Sequence, residues 1–262
     1  RQRQMCIRDR QVANDLLAAY SSKNPIVPPR DTIPGLDLAG AYRIQQLQEQ
    51  QLVDAGRTVV GRKVGLTSLA MQQQLGVDSP DFGFFTDADL YEVGADIDVS
   101  RFIAPKVEPE LAFKLARDLP AGATMEEAKA AIESVHLAVE IIDSRVRDWD
   151  IKLVDTVADN ASFGAVVWDP TPLDVALEDL PKVPARMELD GEFAGEGEGS
   201  AVMGDPVAPL PWLANILHEQ GTALNAGDIV ISGSFCAAAA IAAGQELVVD
   251  YGQHGSITLQ FV

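Results

Sequence analysis

Residues 106–113 read "KVEPELAF", and how this stretch is read decides the fold. As an extended strand it turns residues two apart to one face, so Glu108 and Glu110 present their carboxylates side by side. Pro109 between them cannot donate to a ladder, which predicts an edge strand or a bulge. Two like charges held that close repel. A divalent cation resolves the conflict, and a hard ion such as Mg²⁺ or Mn²⁺ prefers oxygen ligands. The alternative is one acid in solvent and the other paired with Lys106 or Lys114. Spacing alone leaves both readings open, because two carboxylates do not complete a six-coordinate site.

A third acid lies downstream. Glu140 sits in "LAVEIIDS", a buried-strand pattern in which a charged residue needs a partner or a metal. Arg145 and Lys152 are possible partners, and Asp143 is a rival ligand that a strand turns to the other face. "DWDIKLVDTVADNAS", from Asp148 to Ser162, mixes Asp, Lys, Asn and Ser without a period, as loops lining a site do. The three histidines, His136, His218 and His254, are scattered, and no zinc spacing or Ser-His-Asp arrangement follows from them. "GEGEG" lacks the lysine and helix start of a phosphate loop and reads as a flexible acidic turn.

The remaining pattern places these residues in a mixed architecture. "VANDLLAAY" has helical spacing, and a second helix starts with Asp37 as N-cap and stops near Gly56. "RTVVGRKVGLTS" reads as a strand turning sharply at Gly61 or Gly65, with Lys63 inside it. A short helix is expected from "SLAMQQQ", followed by a turn at "SPDFG". Thr124 and Glu127 form a capping box opening "MEEAKAAIESV". Asp190-Gly191 signals a hairpin whose second strand dissolves into Gly and Glu. "VAPLPWLANILHEQG" reads as a helix, and "GDIVISGSF", "GQELVVDYG" and "GSITLQF" as closing strands. The order predicts an α+β fold, without regular βαβ alternation.

The 262 residues and 47% hydrophobic content suffice for one sizeable core. With 20 Lys plus Arg against 39 Asp plus Glu, a net charge of −19 repels nucleic acid and anionic membrane surfaces. Two cysteines, Cys6 and Cys236, make no disulfide framework, and no apolar run is long enough to span a bilayer. A cytoplasmic setting fits. The opening "RQRQMCIRDR" is basic in an otherwise acidic chain and has no docking period. Residues 1–10 are expected to be a non-native extension, 11–60 a helical segment and 61–262 a catalytic β-core.

Taken together, "GRKVGLTS", "MQQQLGVDSPDFG", "PKVEPELAF", "AVEIIDSR", "DWDIKLVDTVADNAS", "WLAN" and "GDIVISGSF" resemble the 2-hydroxypenta-2,4-dienoate (2-keto-4-pentenoate) hydratases. These group with the 4-oxalocrotonate decarboxylases in the fumarylacetoacetate hydrolase superfamily, and the similarity runs from about residue 12 to the end. The resemblance implies a mixed β-sheet rolled into a barrel-like core, with Glu108, Glu110 and Glu140 holding one Mg²⁺ or Mn²⁺. It places Lys63, Asp81 and Ser162 on the substrate side. It further implies a lyase hydrating a small 2-hydroxydienoate in meta-cleavage degradation of aromatic compounds, as a homo-oligomer and with a pathway aldolase as a candidate partner. Decarboxylation of 4-oxalocrotonate is the rival, and a catalytically silent binding subunit a more distant one. The Ala-rich "CAAAAIA" departs from the family's more mixed stretch.

Overall fold

The computed structural model describes residues 2–68, 72–73, 77 and 79–262. Helix α1 spans Gln2–Ser22, α2 Pro29–Thr32 and α3 Leu38–Asp54. Asp37 caps α3 as its sequence predicts, accepting from the Gly40 N–H at 2.7 Å, and the chain leaves the helix through Gly56 at φ 92°. Residues 2–10 continue α1, and Asp9 is buried and 3.3 Å from Arg43 of α3. The glutamines of α3 are not all solvated. Gln45 donates to the carbonyls of Phe82 and Val157, and Gln48 to that of Ala158, so the helix satisfies backbone groups behind the site. The helix expected in "SLAMQQQ" falls mostly outside the described residues.

Thirteen strands are present among the described residues. The first sheet contains β1 (Val59–Gly65), β2 (Asp81–Thr86), β3 (Leu90–Glu92), β5 (Lys106–Leu115), β6 (Ile132–Ile142), β7 (Phe163–Trp168), β10 (Ile229–Ile231) and β11 (Ala239–Ala240). Their order is β2-β1-β10-β5-β6-β7-β3, with β11 beside β5. The second contains β4 (Asp96–Ile97), β8 (Pro184–Leu189), β9 (Glu192–Glu198), β12 (Glu246–Asp250) and β13 (Ser256–Phe261), ordered β4-β13-β12-β8-β9. Parallel pairs β1–β10, β3–β7 and β4–β13 sit among antiparallel ones. The fold is α+β with mixed sheets.

Strand β5 is central, which corrects the edge or bulge expected at Pro109. Its ladder with β6 runs in register from Lys106–Ile142 to Lys114–Ser134, with Pro109 opposite Val139. The carbonyl of Pro109 accepts from Phe235 N–H at 3.0 Å. A strand residue points its N–H and C=O to the same side. The missing donor therefore faces the gap between β10 and β11, where no ladder bond is required.

The two faces of β5 and β6 divide the molecule. Val107, Leu111, Phe113, Leu137, Val139 and Ile141 join the main core with Leu247, Val249, Ile257 and Leu259 of the second sheet. The Tyr251 hydroxyl ties the sheets together, donating to the Ala138 carbonyl at 2.6 Å. The opposite face carries the acids at one end and a smaller apolar cluster of Phe85, Ala112, Ala138, Phe163, Val166, Ile229 and Ile231. Asn160 joins the outer strand β2 to the segment just ahead of β7: its amide accepts from Phe84 N–H at 2.9 Å and donates to Phe84 C=O at 2.8 Å. One side chain thus imitates a strand partner for β2 just ahead of β7.

Two other local expectations change. The helix opened by the Thr124–Glu127 capping box, α4 (Met125–Ala131), hands over directly to β6, because pairing with β5 claims Ile132 onward. "GEGEG" is not a flexible turn. The Asp190-Gly191 hairpin, with φ 52° and 80°, continues into β9 as far as Glu198. A Cβ on Gly197 would lie 1.9 Å from the Phe235 carbonyl. Glycine here admits a neighbouring backbone.

Candidate metal centre and active site

The β5–β6 register builds the acid cluster. Glu108 lies directly opposite Glu140, and Glu110 stands two residues further on the same face. One carboxylate oxygen from each lies within 4.8 Å of the others, about twice the 2.0–2.6 Å bond that Mg²⁺ or Ca²⁺ makes to oxygen. All three side chains are buried. Glu110 Oε2 accepts from Gly233 N–H at 2.8 Å, but Glu108 Oε1, Glu110 Oε1 and Glu140 Oε2 have no hydrogen-bond donor. Buried charged oxygens without partners are costly. A divalent cation satisfies all three at once, so this donor set fits Mg²⁺ or Mn²⁺.

The electrostatics agree. Burial, with Glu140 beside it, pushes the Glu108 carboxyl up to about 8. Burial followed by Glu140 and Glu108 holds Glu110 well above the usual carboxylate range. Glu140 is also raised by burial, against the pull of Lys63. These are the shifts of acids crowded together without their counter-charge.

Lys63, expected on the substrate side, is buried on β1 with Nζ 3.2 Å from Glu140 Oε1 and 2.9 Å from the Ala161 carbonyl. Burial pulls its pKa down, but the surrounding acids, Glu140 first and then Asp81, Glu108 and Glu110, together raise it overall, so it remains an ammonium. Asp81 opens β2, fully buried. Burial raises its pKa against Lys63, and its Oδ1 has no donor. Thr156 on α5 (Leu153–Ala158) links it to the third expected residue, with Oγ1 3.4 Å from Asp81 Oδ2 and 3.2 Å from Ser162 Oγ. Lys63, Asp81, Ser162, Glu108 and Glu110 line one cavity of about 110 Å³. All six expected residues converge on this region.

None of the competing partners forms an ion pair with the three acids. Lys114 pairs with Glu133, Arg145 with Asp159, and Lys106 stacks on Trp149. Asp143 instead accepts from Ile103 and Ala104 N–H and anchors the entry to β5. Other contributors gave no clear signal in the sequence. Asn160, Ala161 and Ser162 form three consecutive left-handed residues, φ 53°, 52° and 53°, which aim the Ala161 carbonyl at Lys63. A Cβ on Gly65 would stand 2.3 Å from Asp81 Oδ1 and 3.1 Å from Lys63 Nζ. That glycine lets the acid and the amine approach.

Fold and site together define a divalent-metal enzyme with a small pocket beside the acids. The chain belongs to the fumarylacetoacetate hydrolase family: the model of the fumarylacetoacetate (FAA) hydrolase C-terminal region matches residues 58–262. It is 40% identical over 252 residues to the 2-keto-4-pentenoate hydratase of Paraburkholderia xenovorans (strain LB400), covering 96% of this chain and 94% of the relative. It is 39% identical over 249 residues to the 2-hydroxyhexa-2,4-dienoate hydratase of Comamonas testosteroni, covering 94% of each. The 4-oxalocrotonate decarboxylase from Pseudomonas putida G7, complexed with magnesium and adipate, superposes with a TM-score of 0.93 at 31% identity, covering 100% of this chain and 98% of that one. Among the described residues no helix is long and apolar enough to cross a membrane.

Proposed function

We propose that this lyase hydrates 2-hydroxypenta-2,4-dienoate to 4-hydroxy-2-oxopentanoate, using Glu108, Glu110 and Glu140 to hold Mg²⁺ or Mn²⁺. The observation that carries the reading is the convergence of three buried carboxylates, each with an oxygen that no hydrogen bond satisfies, beside the Lys63 ammonium. A bound cation supplies Lewis-acid stabilisation of an enolate oxygen. Lys63 offsets the substrate's carboxylate charge and is held in place by Ala161 and Glu140. In the reaction the enol loses its O–H proton and C5 gains one, giving a conjugated enone. Water oxygen then bonds to C4 while C3 takes a proton. Asp81, with one oxygen free of donors and a raised pKa, is the group suited to carry these protons. Ser162, oriented through Thr156, hydrogen-bonds the substrate.

The decarboxylase reading has its own support in the close superposition on the 4-oxalocrotonate enzyme. An ultraviolet assay of diene loss with Mg²⁺, Mn²⁺ or chelator, run beside CO₂ release from 2-oxo-3-hexenedioate, separates them. Persistence of the diene absorbance under every condition sinks the first reading.

The same reading assigns catalysis to residues 61–262, with 11–60 as a buttress and 1–10 as a non-native extension. Removing residues 1–10 should then leave turnover and melting nearly unchanged. The link that Asn160 makes from β2 to the start of β7 supports a barrel-like core. The family resemblance supports a homo-oligomer, tested by its mass in solution. The product is a β-hydroxy ketone, a substrate for aldol cleavage, which supports a pathway aldolase as partner; the low cysteine content supports a cytoplasmic site of action.

A further inference from the structure

The mechanism leaves Trp149 without a part, although its indole lines the cavity together with Ile142 and Ile151. Asp148 and Trp149 both adopt left-handed backbone, φ 57° and 54°. A bulky side chain keeps that conformation only where its surroundings hold it. Here the indole N–H donates to the Ala104 carbonyl at 3.1 Å, and the Lys106 ammonium stands 4.3 Å from the ring centroid. Lys106 itself does not line the cavity.

Register places this group relative to the acids. Lys106 lies directly opposite Ile142, two residues beyond the Glu108–Glu140 pair on the same face. That step is roughly 6.5–7 Å, far enough for the tail of a short oxo acid anchored at the acids to end beneath Trp149. Among the described residues Lys63 is the one cation lining the cavity, and it stands at the Glu140 end, where it serves the substrate's first carboxylate. Residues 66–80 contribute no Lys, Arg or His. A carboxylate at the far end of a substrate would therefore meet Trp149, Ile142 and Ile151 and lose its hydration without gaining a partner.

We infer that Trp149 is a specificity-determining residue: its indole covers Lys106 and so selects substrates with an uncharged tail over dicarboxylates. This rests on the oxo-acid reading of the site. Removing the ring opens an ammonium to the pocket, and selectivity then shifts toward a second carboxylate.

The test uses the full-length Mg²⁺-loaded protein and calorimetric binding of 2-oxohexanoate and 2-oxoadipate, equal in length and differing in the terminal carboxylate. The native protein should bind 2-oxohexanoate more tightly. Trp149→Ala should move the affinity ratio toward 2-oxoadipate by on the order of tenfold, the scale of one charge-assisted hydrogen bond. Trp149→Ala combined with Lys106→Met should abolish that shift. Lys106→Met alone should leave the native ratio unchanged, and it decides the matter even if Trp149→Ala fails to fold. A native preference for 2-oxoadipate, an unchanged ratio in folded Trp149→Ala, or a tenfold loss of 2-oxoadipate binding in Lys106→Met alone overturns the inference. Native protein that binds neither compound overturns the oxo-acid reading itself, and the inference with it.

Discussion

Replacing Glu110 by glutamine should make the metal-free protein more stable and the metal-loaded protein relatively weaker. The amide keeps the volume and can still accept from Gly233 N–H. What it removes is a fully buried carboxyl whose other oxygen has no donor and whose neighbours are Glu108 and Glu140. Relief of such a group is worth on the order of 1–3 kcal/mol. At about 2–4 °C per kcal/mol for a chain of this size, Glu110→Gln in chelator should melt roughly 2–12 °C above the native protein. Saturating metal reverses the order. At a hundredfold excess over Kd, a ligand bound to the folded state alone adds about 2.7 kcal/mol, hence roughly 5–10 °C for the native protein. The variant should gain little. Differential scanning calorimetry of both proteins, with EDTA and with Mg²⁺, reads all four values. A variant less stable than native in EDTA, yet gaining the native increment with Mg²⁺, would refute the claim that these acids are a metal site.

Gly65→Ala drives a Cβ into Asp81 Oδ1 while leaving the acid cluster untouched; kcat should fall on the order of a hundredfold with the Mg²⁺-induced rise in Tm retained, and loss of both would show a general folding defect instead. Asn160→Ala strips the amide that serves both backbone groups of Phe84, and urea unfolding should register a loss of about 2–4 kcal/mol. The Cys236 thiol is pushed up to about 11 by burial and then by Glu108 and Glu196. A thiol titrates to its reactive thiolate as pH rises, so only roughly one molecule in a thousand is reactive at pH 8. Alkylation at Cys236, followed by mass spectrometry, should therefore quicken about tenfold per pH unit from 8 to 10, and a plateau by pH 9 contradicts the shielding.

The acids were legible because their signal is local. A period of two and a charged residue within an apolar strand survive in one dimension, and so do the Asp37 and Thr124 caps and the Asp190-Gly191 hairpin. What joined Glu108 to Glu140 is register, a property of two strands that neither segment states. Lys63 and Asp81 entered through family resemblance, since a lysine in a β-strand carries no mark of what it will face. Thr156, Gly65 and the left-handed run at 160–162 were invisible for the same reason: each matters through an approach of chain segments far apart in sequence. "GEGEG" misled because glycine was read as freedom when Gly197 is required by contact with Phe235. Pro109 misled because its missing donor was assumed to lie within a continuous ladder.

Pro109 has a consequence for how the pocket is kept open. Were residue 109 able to donate, β10 could prolong its pairing along β5 and merge with β11 into one seamless strand. The segment between them would then be stretched flat against the sheet. With no donor at 109 that zipper stops: Ser232 and Phe235 still donate to the Leu111 and Pro109 carbonyls, but the residues between β10 and β11 leave the regular ladder. In doing so they carry the Gly233 amide to Glu110 and Ser234 into the cavity wall. A residue with no part in the chemistry thus acts as a spacer, leaving room beside the acids for the Gly233 amide and the Ser234 side of the cavity wall.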